Sequence, residues 1–217
     1  MKQTTLQFLH DLQSNNNKEW MDVNRKSYDA ARQDFEQFVA DLIGALAQFD
    51  PAIGELQAKQ CIFRLQRDIR FSKDKSPYKT NFGAAFSRGG RKSTAAGYYF
   101  HLEPGGSFAG GGVWMPEADQ LRRIRQEIDY NFDEFKAIVE DKKFKAYFPK
   151  IDGESLSRPP KGYDDTNPAI HYLKLKSFTV GAKVTDKELT TSGLLQKTMD
   201  IYTRMEPFIR FLNRAVE

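Results

Sequence analysis

The 217-residue chain has one cysteine, Cys61, so it builds no internal disulfide, and a lone thiol fits a reducing compartment. Cys61 sits in an apolar run and reads as a small buried hydrophobe. No stretch approaches the roughly 20 apolar residues of a bilayer-spanning helix. The opening MKQTTLQFLHDLQ lacks the continuous apolar block of a secretory leader, so the expectation is a cytoplasmic protein that stays out of membranes. Three scattered histidines, without HExxH or CxxC, give no reason to expect a metal or cofactor. There is no Gly-Lys-Ser or Gly-Lys-Thr for a P-loop, no helix opened in GxGxxG order, and no GxSxG elbow.

Charge is present, and it is concentrated. Residues 63–80, FRLQRDIRFSKDKSPYKT, carry Arg64, Arg67, Arg70, Lys73, Lys75 and Lys79 against Asp68 and Asp74, a surplus equal to the net charge of +4 for the whole chain. The remainder is balanced, so the positive field originates in one segment. Binders of duplex nucleic acid spread cations over an extended face, and this chain does not. Guanidinium forks interleaved with Ser72, Ser76, Tyr78 and Thr80 instead match the oxygens of a phosphate or another anion. Asp68, two residues before Arg70, can hold it in a bidentate pair, and Asp74 can hold another cation in the same way.

The composition, 40% hydrophobic and 29% charged, is that of a globular protein, and the length suits a single domain over residues 1–217. Apolar steps of three and four predict a short helix from Thr4 and Thr5, then a long one from Lys18 to Phe49 with a break near Asn24. Its stripe is aromatic, which favours core packing over a coiled-coil seam. Period-two runs predict strands at 61–65, 82–87, 98–102, 107–115 and 177–184. The glycines at 110–112 weaken their strand unless a bulge, a neighbouring backbone or a ligand comes close. Pro116 opens a helix, 158–168 is a loop, 169–173 a short helix, Thr185 and Glu188 a capping box, and 194–216 a closing helix bent by Pro207. The fold class is therefore α+β: a central, mostly antiparallel sheet with the long N-terminal helix and C-terminal helices packed against it.

On the strand at 98–102, Tyr99 and His101 alternate with apolar neighbours, and Glu103 continues their face. His101 and Glu103 are the candidates for proton transfer beside the anion seat, with Tyr99 next to them. The competing reading is a polar sheet face with no chemistry.

The basic string, the opening FLHDLQSNNNKEWMDVNRKSYDAAR, the pair GYYFHLEPGG and GGGVWMP, and KGYDDTNP with LKLKSFTV resemble the domain-of-unknown-function family 2461 across nearly the whole chain. The resemblance implies a stand-alone protein organised around the same Arg and Lys string. It names no substrate and no catalytic residue. The functional expectation is a cationic loop that binds a phosphate-bearing or other anionic small molecule through Arg64, Arg67, Arg70, Lys73, Lys75, Tyr78 and Lys79. Docking on an acidic protein, or weak binding of single-stranded nucleic acid, are the alternatives.

Overall fold

Two asparagines punctuate the N-terminal helices. The structure is a computed structural model that describes residues 1–215. In it α1 (Gln3–Ser14) is followed by α2 (Lys18–Val23) and α3 (Arg25–Leu46). The Asn17 side chain caps α2 by accepting from the Trp20 amide, and Asn24 ends it by donating to the Trp20 carbonyl at 2.9 Å. An asparagine that captures a backbone carbonyl competes with the helix ladder, which is why the long apolar stripe breaks at Asn24.

Short helices α4 (Pro51–Gly54) and α5 (Ala58–Cys61) lead to β1 (Phe82–Phe86), β2 (Gly97–Leu102) and β3 (Phe108–Val113). Four helices, α6 (Ala118–Tyr130), α7 (Phe132–Val139), α8 (Lys142–Tyr147) and α9 (Ile170–Leu173), precede β4 (Phe178–Lys183). The chain closes with α10 (Asp186–Leu189) and α11 (Leu194–Arg214), which runs through Pro207. Val216, the last residue of the expected closing helix, lies outside the described residues. The strands form one antiparallel sheet in the order β1-β2-β3-β4, and the fold class is α+β. Thr185 and Glu188 form the reciprocal capping box of α10.

The strand expected at 61–65 is a correction. Residues 58–61 are helical, because Gln57 and Gln60 cap each other's backbone and wind the segment into a turn. Ile62 is then buried while Phe63 is half-buried, so the period of two fails. From Ile62 onward the chain is extended, bridged antiparallel at Ile62 to Ala84 and at Gln66 to Tyr78. Phe63 N–H donates to the Gly83 carbonyl at 2.9 Å and Lys79 N–H to the Leu65 carbonyl at 2.8 Å, so the basic segment leaves and rejoins an edge of β1.

By its contacts the chain divides into two units, each assembled from separated segments. The first comprises Met1–Lys92, Tyr99–Ala109 and Lys183–Met199. Here Phe82 meets Phe8 of α1 at 6.4 Å and Phe35 of α3 at 5.4 Å, and Phe38 of α3 meets Phe100 at 4.9 Å. Burying each such ring stabilises the fold by about 1.5–3 kcal/mol. Phe82, Ala84, Phe86, Phe100 and Leu102 are all buried, whereas Ala85, Tyr99, His101 and Phe108 are only half-buried, so this unit's part of the sheet has one dry face and one partly open face.

The second unit comprises Ser93–Tyr98, Gly110–Ala182 and the chain from Asp200 onward. Its core is aromatic: Phe135 lies 6.3 Å from Phe208 and 5.1 Å from Phe211 of α11, and Tyr98 lies 5.0 Å from Tyr202. The glycines of β3 serve close approach. A Cβ on Gly112, whose φ is +119°, would fall 2.0 Å from the Phe178 carbonyl oxygen of the neighbouring β4.

Candidate functional site

The basic segment spends much of its charge on its own shape. Arg67, with a side chain only 26% exposed, pairs with Asp74 and donates to the Ser76 carbonyl and the Ser72 hydroxyl. Asp74 also accepts from the Ser76 amide and hydroxyl, and these bonds, followed by Arg67, lower its carboxyl to about 2. Arg70 holds Asp68 through both Nε and Nη2, at 2.9 and 2.7 Å, the bidentate pair that the i, i+2 spacing suggests. Lys75 Nζ donates to the Ile69 carbonyl at 2.9 Å. Tyr78 is pinned through its backbone, which exchanges two hydrogen bonds with the Asn16 side chain. Lys73 is exposed and makes no ion pair or hydrogen bond among the described residues. These bonds give a braced excursion that carries Phe71 at its tip, 95% exposed, with the Arg70 guanidinium 5.8 Å from the ring centre.

Arg64 and Lys79 stand apart from that framework. They flank the base of the excursion within electrostatic reach of each other, and neither forms an ion pair among the described residues. Lys79 is half-buried, its ammonium 5.6 Å from the centre of the Phe63 ring. Burial first, and then the Arg64 charge, push the Lys79 pKa below the ordinary lysine value. Arg64 also lies within reach of Asp68. Arg32 of α3 donates to the Phe63 carbonyl at 3.2 Å and fixes the strip from which both cations rise.

Beside Lys79 the partly open sheet face carries a connected line of polar groups. The Tyr99 hydroxyl lies 3.1 Å from His101 Nδ1, and His101 Nε2 lies 3.1 Å from Glu103 Oε2. Thr80 donates to the second Glu103 oxygen at 3.1 Å, and Asn81 Nδ2 approaches His101 Nδ1 at 3.5 Å. Burial, and then the Glu103 charge, push the Tyr99 phenol up to about 12, so it keeps its proton. A neutral ring that carries its proton on Nε2, facing the Glu103 carboxylate, leaves Nδ1 to accept from the phenol. Phe108 stacks on the imidazole at 4.9 Å and 17°, which fixes the ring plane. The hydroxyl of Tyr99 rests over Gly83, where a Cβ would lie 2.5 Å from it. Chemically the line is a base, Nδ1, oriented by a carboxylate and presented to a phenolic O–H.

His101, Glu103 and Tyr99 are therefore joined directly, and of the seven proposed ligand contacts the structure brings Arg64 and Lys79 together. Arg67, Arg70 and Lys75 are engaged in bracing the loop. Asn81, Phe63, Phe108 and Gly83 are members of the site that the sequence pattern does not point to. A hairpin across residues 104–106 places Phe108 opposite β2, and that turn was the signal available for it. Cys61 is buried, and burial raises its thiol to about 11, as befits a core residue. An open groove of about 310 Å³, lined by Leu6, His10, Pro104 and Asp186 among others, contains none of the groups in the polar line. Among the described residues no helix is long and apolar enough to cross a membrane.

A sequence-family model described as Conserved hypothetical protein (DUF2461) matches residues 4–211. No curated protein and no solved structure matches the chain.

Proposed function

The chain belongs to the DUF2461 family, and we propose that it binds a phosphate-bearing or other anionic ligand on the partly open sheet face, at Lys79 and Arg64. The observation that carries this reading is the half-buried Lys79 ammonium, which shares its surroundings with a second cation and has no carboxylate paired to it among the described residues. Two like charges, one of them partly desolvated, are an unfavourable arrangement that an anion relieves. Thr80 and Tyr99 line the same face, and the His101–Glu103 pair beside them handles a proton if the bound ligand reacts. In this reading the excursion at 67–77 is a brace for the seat, and Lys73 and Arg70 attract the ligand from further out. The single buried cysteine supports a reducing, cytoplasmic setting.

Thermal melts in increasing sulfate and phosphate test it. A ligand of the folded state raises the transition as ln(1 + [L]/Kd). The rise is expected for the natural chain, is lost in Lys79→Glu, and largely survives in Arg70→Glu. An equal rise in all three would refute the assignment.

A further inference from the structure

We infer that the anion taken on this face is the backbone of a single-stranded nucleic acid, whose bases stack on a row of aromatic rings beside the cations. The inference rests on the anion-binding reading and names its ligand class. Phe63, Tyr99 and Phe108 form the row, with ring centres 6.3 Å and then 5.7 Å apart, and all three are half-buried on the open side of the sheet. They come from the edge segment, β2 and β3, so the row runs across the strands. Lys79 sits at its end, with its ammonium against Phe63, and Arg64 is alongside. Phe71, on the excursion, is a further ring, almost wholly exposed and with a guanidinium near it.

Aromatic rings on an open antiparallel face, with cations at the margin, meet the two features that every nucleotide of an unpaired strand repeats, a π-face and a phosphate. A duplex hides the first of these, and its regular phosphate array calls for cations spread far more widely than one segment. An anionic membrane supplies phosphates for the cations but no unpaired π-faces for the row of rings. An acidic protein surface satisfies the cations but leaves the row of rings without a role.

Fluorescence anisotropy with labelled oligothymidylate and oligouridylate tests this on the full chain at low salt. Single strands are expected to bind and a duplex of equal length to bind more weakly. The log–log salt slope should be about −0.7 for each phosphate contact, hence about −1.4 for Lys79 and Arg64 together. Phe71→Ala, which removes a ring in solvent and leaves the core intact, should weaken binding at least about fivefold, the low end for one stacked base. Phe63→Leu should do the same. Duplex bound as tightly as single strand, or both phenylalanine variants binding like the natural chain, would overturn the inference. If sulfate raises the melting temperature while no oligonucleotide binds, the nucleic-acid inference fails and the anion seat stands. If neither acts, both fall. Retention on anionic vesicles without oligonucleotide binding would overturn it in favour of a lipid surface.

Discussion

The Tyr99 hydroxyl and His101 Nδ1, two residues apart on β2, lie 3.1 Å apart, and Glu103 lies 3.1 Å from Nε2, so a neutral imidazole with its proton on Nε2 accepts from the phenol at Nδ1. Period-two geometry puts both side chains on the same face, while Tyr98 and Phe100 between and beside them are buried on the other. Glu103 continues the line, so three alternate positions make one hydrogen-bonded chain.

Gly83→Ala tests how tightly that chain is seated. The new methyl would meet the Tyr99 hydroxyl at 2.5 Å and the ring carbons at 3.2 and 3.3 Å. Phe63 and Phe108 flank the ring, so it has little room to yield. Chemical denaturation should show a loss of about 1–3 kcal/mol, the usual cost of overpacking. An unchanged midpoint would mean that Tyr99 moves freely.

Glu103→Gln separates the two causes of the high Tyr99 value. Removing the negative charge should lower the tyrosinate titration of Tyr99 from about 12, but burial is the larger cause, so it should stay above the ordinary 10.0. NMR of ring-labelled tyrosine, assigned with Tyr99→Phe, monitors it. A fall to the ordinary value would assign the shift to Glu103 alone.

Sulfate binding should weaken as pH rises into the lysine range, because the ammonium of Lys79 is the species that holds the anion. The Lys79 pKa is lowered by burial and by Arg64, so the loss should begin below the pH at which an ordinary lysine titrates. Bound sulfate favours the ammonium and moves that loss upward. Affinities measured by calorimetry across the alkaline range check the sign, and a flat profile would exclude Lys79 as the contact.

Asp74 latches the excursion, and its carboxyl is depressed from 3.8 to about 2. A depressed carboxylate contributes stability above its unfolded value and loses it as pH falls through the folded one. The Ser76 amide should therefore stay protected from exchange above pH 3.8 and become exposed as the pH drops toward about 2. Asp74→Asn should weaken the latch at neutral pH while leaving the melting temperature nearly unchanged, because Asp74 itself is exposed.

Much of this was legible in the residues. Alternation alone located β2 and its polar face, the Thr185 and Glu188 spacing located α10, and the local i, i+2 spacing anticipated the Asp68–Arg70 pair. Local signals of this kind act within a turn of chain. The strand expected at 61–65 failed at its start because a Gln57–Gln60 capping box winds Cys61 into α5, and from Ile62 the segment is extended but pairs only through isolated bridges. Strand register was not legible, and so neither was the meeting of Asn81 and Phe108 with His101. Nor does spacing reveal which cations a loop consumes: Arg67 turns inward to an aspartate seven residues on, whereas Lys79 lies against the Phe63 ring near Arg64 and makes no ion pair among the described residues.

The most direct test of the anion seat is a phosphate titration of the isotope-labelled protein monitored by amide and Lys side-chain NMR. Saturable shifts centred on Lys79, Thr80 and Arg64 are expected, with the Lys79 ammonium signal changing most. Shifts confined to Arg70 and Lys73 at the exposed tip, or none that saturate, would contradict it.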